Sequence, residues 1–222
     1  MSGSVWWGFV RRDLYLARGL TAATVSIVLI ACALLRFGGS ERYVAMVLLI
    51  IALILQGVFV CIMSNRTERV QKSLAFSLAF PISPGEYAAA KAMSATALFL
   101  GPCVVAALAG LALLHTSSVA YGLLPISVAT GLFLLDQFCL NFAITLCIES
   151  ETWNSALVVW ACTAISFFFY FVLRVSSVYT GLGGAVAVWS PALLGIVAGE
   201  AGFAVLIAVI VTAVLARRRD FL

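Results

Sequence analysis

The stretch Ser64–Lys91, SNRTERVQKSLAFSLAFPISPGEYAAAK, is a long polar and basic interruption in a chain that is otherwise lipid-like. Asn65 followed three residues later by Glu68 caps a helix start, the Asn side chain accepting from orphan amides and the Glu reaching back to the cap. A helix is expected from about Arg66. Along it Val70, Leu74 and Leu78 recur at four-residue spacing on one face, while Arg69, Lys72, Ser73 and Phe76 lie on another. The helix is amphipathic and basic, and Pro81 must end it. Ser83, Pro84 and Glu86 then supply an N-cap, an N1 proline and an N3 acid for a second helix. Anionic lipid alone would satisfy the Arg and Lys of a helix lying on the membrane surface, but Phe76 shares its face with Arg69 and Lys72. An aromatic on the solvated face fits a protein groove better.

Outward from that stretch the chain is apolar in both directions. Of 222 residues 64% are hydrophobic and 10% charged, with a mean hydropathy of +1.16, which excludes an ordinary soluble domain and implies an integral membrane protein. The formal charge of +4 matters less than where Lys and Arg fall, and nothing favours nucleic acid as a partner. Cys32, Cys61, Cys103, Cys139, Cys147 and Cys162 sit in apolar stretches without metal-ligand spacing, so they read as small packing residues.

An all-α fold with six transmembrane helices follows from the apolar runs. Residues 1–18 place Trp6, Trp7, Val10 and Leu14 beside Arg11, Arg12 and Arg18, the pattern of an interfacial elbow helix. Ala31-Cys32-Ala33 is a small-x-small triplet, but the basic, Trp-bearing lead is atypical of a signal peptide. Expected spans are Leu20–Leu35, Tyr43–Met63, Ala92–Leu114 with a kink at Gly101-Pro102, Leu123–Ile148, Trp153–Leu173 and Ala201–Ala216. Residues 178–199, rich in Gly and holding Ser190-Pro191, are expected as a short re-entrant hairpin on the outer face. Six spans leave only Arg36, Arg42 and Arg174 outside and put both termini in the cytoplasm. The whole chain is expected to be one membrane domain.

Chemistry is excluded more readily than assigned. There is no G-x-x-x-x-G-K-[ST], His115 is the sole histidine, and no G-x-S-x-G occurs, so P-loop nucleotide cleavage, H-E-x-x-H metal chemistry and nucleophile-elbow hydrolysis lack their parts. No catalytic or metal-binding residues are expected. Asp136 lies near the middle of the fourth span beside Gln137, Asn141 and Thr145, the last three on one helix face. An ionisable residue at that depth is functional by default, against the blander reading of a polar packing seam. Gln56 carries the same two readings, and Glu200 is either a vestibule group or an interface group. Gly195 and Gly199 read as close packing of the outer hairpin. The run Phe167–Phe171 is lipid-facing, core or substrate platform.

Glu68-Arg69, Ser73-Leu74, Phe80-Pro81-Ile82-Ser83 and Lys91 resemble, in order and spacing, the segment between the second and third spans of ABC-2-type transporter permeases. The likeness extends to Arg11-Arg12-Asp13-Leu14, Trp189-Ser190-Pro191 and Arg219-Asp220-Phe221, and it departs from the family where Lys72 replaces the common Gly. It implies a six-span permease subunit of a bacterial cell membrane that dimerises through its first and fifth spans. Each subunit pairs with a separately encoded ATPase that brings ATP and Mg. Arg66 to Phe80, followed by Pro81, would be the coupling helix seated on that ATPase. Alternating access would move a hydrophobic or amphipathic substrate, with export favoured, past Gln56, Asp136, Asn141, Phe167 and Tyr170. Rival readings are a haem-exporter-type permease, a proton-coupled carrier titrating on Asp136, and a membrane scaffold or immunity-type binding protein.

Overall fold

The computed structural model describes residues 2–37, 40–63, 84–116, 121–147, 151–181 and 186–217. The chain forms helices α1 (Ser2–Leu34), α2 (Ser40–Cys61), α3 (Pro84–Thr116), a 3-10 turn (Tyr121–Leu123), α4 (Leu124–Cys147), α5 (Glu151–Val172), α6 (Ser176–Gly181) and α7 (Pro191–Arg217). Among the described residues every regular element is helical. Five stretches are long and apolar enough to cross a membrane: Trp7–Leu34, Glu41–Cys61, Ala89–His115, Tyr121–Thr145 and Pro191–Ile210. In α5 the apolar part described is Val159–Val172. The protein is a multi-pass, helical membrane protein.

Packing divides the bundle into two halves that meet at α4. α1 lies along both α2 and α3, while α4 packs on α2 on one side and on α7 on the other. The first half encloses a core with Val28, Cys32, Leu53, Val60, Phe99 and Phe138; the second encloses Ile126, Phe168, Val172, Val178 and Leu193. At Gly57 α2 lies close against side chains of α3 and α4: a Cβ there would stand 3.3 Å from Phe99 Cε2 and 3.8 Å from Phe138 Cδ2. Large apolar side chains such as Leu16, Phe171 and Val205 point outwards and are more than half exposed, as lipid-facing residues should be.

The helix bounds differ from the sequence expectation in two places. The elbow and first span are one unbroken helix, α1, because nothing between Arg18 and Leu20 stops it; Gly19 is helical, and a Cβ there would meet nothing within 4 Å. Within the stretch expected as a re-entrant hairpin, residues 182–185 lie outside the described residues, and α7 begins at Pro191 rather than at Ala201, the expected start of the last span. The cause is local. Ser190 caps the helix, its Oγ accepting from the Leu193 N–H at 3.2 Å and its carbonyl from the Leu194 N–H at 2.9 Å, with Pro191 at the favoured first position. Once started, an apolar helix continues through Gly195 and Gly199, because breaking it would orphan backbone groups away from water. A Cβ added at either glycine would meet nothing within 4 Å, so the two do not mark close packing within the chain. Gly101-Pro102 likewise does not end α3.

Candidate functional site

A buried polar cluster joins α1 to the start of α3. Asp13 Oδ2 accepts from Lys91 Nζ at 2.7 Å and from Ser94 Oγ at 3.2 Å, and Asp13 Oδ1 accepts from Arg12 Nε at 3.3 Å and Nη2 at 3.1 Å. The side chains of Lys91 and Asp13 are 2% and 9% exposed. Lys91 and Ser94 sit one turn apart on α3, so both reach the same carboxylate. Around them Phe9, Val10 and Ala90 form a small apolar shell, with Tyr87 edge-on to Phe9 at 6.0 Å and the Arg12 guanidinium 5.1 Å over the Phe9 ring. A buried ion pair with added hydrogen bonds and aromatic cover fixes geometry more than it adds stability. Here it joins α1 to α3 within the first turns after the 64–83 segment.

Sequence reasoning places Asp13 and Lys91 in separate motifs and misses that they pair. The signal is present: a carboxylate in one apolar helix and an ammonium in another each need a partner.

Gln56 is fully buried where α1, α2 and α3 meet. Its Oε1 accepts from Thr24 Oγ1 at 2.8 Å, and its Nε2 donates to Thr21 Oγ1 at 3.2 Å and to the Leu98 carbonyl at 2.9 Å. Both amide hydrogens and the carbonyl are engaged, so Gln56 acts as a clamp between three helices.

Asn141 does line a space. With Gln137, one turn away on α4, it borders a cavity shared by α2, α3 and α5 and walled by Leu53, Ile54, Gly57, Phe99, Leu134, Phe138 and Ala161. The space is small, with room for about one water. The Phe99 and Phe138 rings stack at 4.3 Å with 1° between their planes. Gln137 Oε1 and Asn141 Oδ1 are buried without a hydrogen-bond partner, an arrangement that takes a water or a donor group of a guest. Thr145, the third residue of that face, turns its hydroxyl onto the Phe142 carbonyl at 3.0 Å.

Asp136 is buried, and its Oδ1 lacks a partner. Phe167 and Tyr170 are 59% and 52% exposed on α5, and Tyr170 carries the Arg174 guanidinium 4.3 Å over its ring. The aromatic run splits: Phe168 enters the core and stacks on Phe133 at 4.4 Å, while Phe167, Tyr170 and Phe171 face outwards. Gln56, Asn141 and the two outward aromatics therefore do not share one surface. The expected coupling residues Arg66, Glu68, Arg69, Lys72, Ser73, Phe76, Phe80 and Pro81 lie outside the described residues.

No family model, curated protein or solved structure matches the chain.

Proposed function

We propose that the chain is the membrane-spanning permease subunit of an ATP-driven ABC transporter, moving a hydrophobic or amphipathic substrate by alternating access and energised by a separate ATPase. One observation carries this reading. The two short motifs that resemble ABC-2-type permeases on either side of the polar segment, Arg11-Arg12-Asp13-Leu14 and Lys91, meet in the buried Asp13–Lys91 pair. A partner seated on residues 66–80 would push on the start of α3, and the ion pair would carry that displacement into α1 as a rigid-body movement.

Further support comes from helix lengths. α5 has 22 residues, about 33 Å at 1.5 Å per residue, enough to add a sixth crossing to the five apolar spans. Six crossings keep the basic 64–91 segment and the Arg217-Arg218-Arg219 tail on the cytoplasmic side. The exposed Phe167, Tyr170 and Phe171 of α5 supply an apolar face for a second permease subunit.

The test is co-purification of a nucleotide-binding ATPase with the detergent-solubilised chain from its own membranes. The native chain retains the ATPase, and Phe76→Asp or Glu68→Arg chains of normal fold lose it. An ATPase that is absent from the native preparation, or that both variants retain, refutes the reading.

A further inference from the structure

α3 carries Pro102 inside an unbroken helix of 33 residues. Proline has no N–H, so the Leu98 carbonyl, four residues earlier, loses the partner that an ordinary helical turn supplies, and the pyrrolidine ring crowds it as well. Leu98 and Pro102 are both buried, which makes water a poor replacement. The replacement comes from α2: Gln56 Nε2 donates to the Leu98 carbonyl at 2.9 Å. The neighbouring residues permit this reach. Gly57 presents no side chain to Phe99, whose ring would lie only 3.3 Å from a Cβ there, so α2 and α3 approach closely at this level.

α1 holds the Gln56 amide in the orientation this contact needs. Its second N–H goes to Thr21 Oγ1 at 3.2 Å, that hydroxyl donates to the Ala17 carbonyl at 3.1 Å, and Thr24 Oγ1 donates to Gln56 Oε1 at 2.8 Å. A carbonyl only accepts, so Leu98 requires the nitrogen side of the amide and leaves the oxygen side for the Thr24 proton. We propose that Gln56 stands in for the missing amide of Pro102, making residues 98–102 of α3 a proline hinge latched from α2. With the latch closed, α3 is one continuous helix. With Gln56 withdrawn, residues 84–98, tied to α1 through Asp13 and Lys91, bend against residues 102–116. Gly101 adds backbone freedom at the joint, where a Cβ would meet nothing within 4 Å. The device lies wholly within this chain, so it stands whether or not an ATPase binds.

Hydrogen–deuterium exchange of the full chain in nanodiscs, read by mass spectrometry on peptides covering residues 98–106, tests the latch. Gln56→Leu should raise exchange there roughly tenfold, the equivalent of one lost buried hydrogen bond. In a Pro102→Ala background the same Gln56→Leu change should leave exchange in that segment nearly unaltered, because the substituted residue has an N–H for the Leu98 carbonyl. A Gln56 that merely ties three helices together would raise exchange by the same factor in both backgrounds, and that result overturns the proposal. So does a Gln56→Leu chain whose exchange in residues 98–106 matches the native chain. Should Gln56→Leu not fold, Thr24→Val, which loosens the Gln56 amide without removing it, is compared in the same two backgrounds: a rise confined to the chain with Pro102 supports the latch, and equal factors or no rise overturn it.

Discussion

Lys91 has its charged end in a place where a lone ammonium would not stay, and Asp13 is the reason it does. Removing one partner of such a pair leaves the other buried and uncompensated, whereas replacing both by apolar residues of similar size removes the problem. Lys91→Met should therefore destabilise the chain by about 3 kcal/mol, and Asp13→Leu combined with Lys91→Met should recover most of that loss. Reversible unfolding in mixed micelles, arranged as a double-mutant cycle, gives the coupling; additive losses would show that the two charges do not depend on one another. Gln56→Leu strands the Thr24 hydroxyl and the Leu98 carbonyl, to which Pro102 four residues on has no N–H to offer, and should cost about 1–3 kcal/mol in the same assay. These residues are individually visible in the sequence as polar groups in apolar runs. Their partners are not, because the Asp13–Lys91 and Thr24–Gln56 contacts join different helices and no local spacing encodes which helix lies beside which.

Helix starts and ends are largely legible in the sequence, since caps and prolines act within one turn. α2, α4 and α5 begin and end within three residues of the expected spans, and Pro84 opens α3 as its position after Ser83 implies. Continuity is not legible. Gly and Pro weaken a helix in water, but in an apolar environment the alternative is a broken ladder of unsatisfied amides, so α1 passes Gly19, α3 passes Pro102 and α7 passes three glycines. Gly19→Ala should thus be neutral or stabilise by about 0.5–1 kcal/mol, as for a helical glycine in open space; a loss of stability would mean that α1 bends there. Gly57→Ala should have the opposite sign. Its new methyl group would press on Phe99 and disturb the Phe99–Phe138 stack, at a cost of about 1–3 kcal/mol. Ser190→Ala should cost about 1 kcal/mol by removing the cap that starts α7.

At the scale of the whole molecule, hydropathy alone establishes a helical membrane protein, because apolar runs of this length have few other stable forms. The candidate site is legible only in part. Asn141 stands out in the sequence and lines a cavity, Gln56 stands out and is a structural clamp, and the helix-to-helix pairing of Asp13 with Lys91 has to be seen in three dimensions. The bundle divides about α4: α1, α2 and α3 are tied together by buried polar contacts, while α7 packs on α4. In the proposed permease the tied half would receive the push from the ATPase. The most direct measurement is photo-crosslinking in native membranes with a photoreactive amino acid at position 76. A crosslinked product containing a nucleotide-binding ATPase, lost when Arg69 is replaced by Glu, is the expected result; crosslinks to lipid alone would contradict a permease driven through that segment.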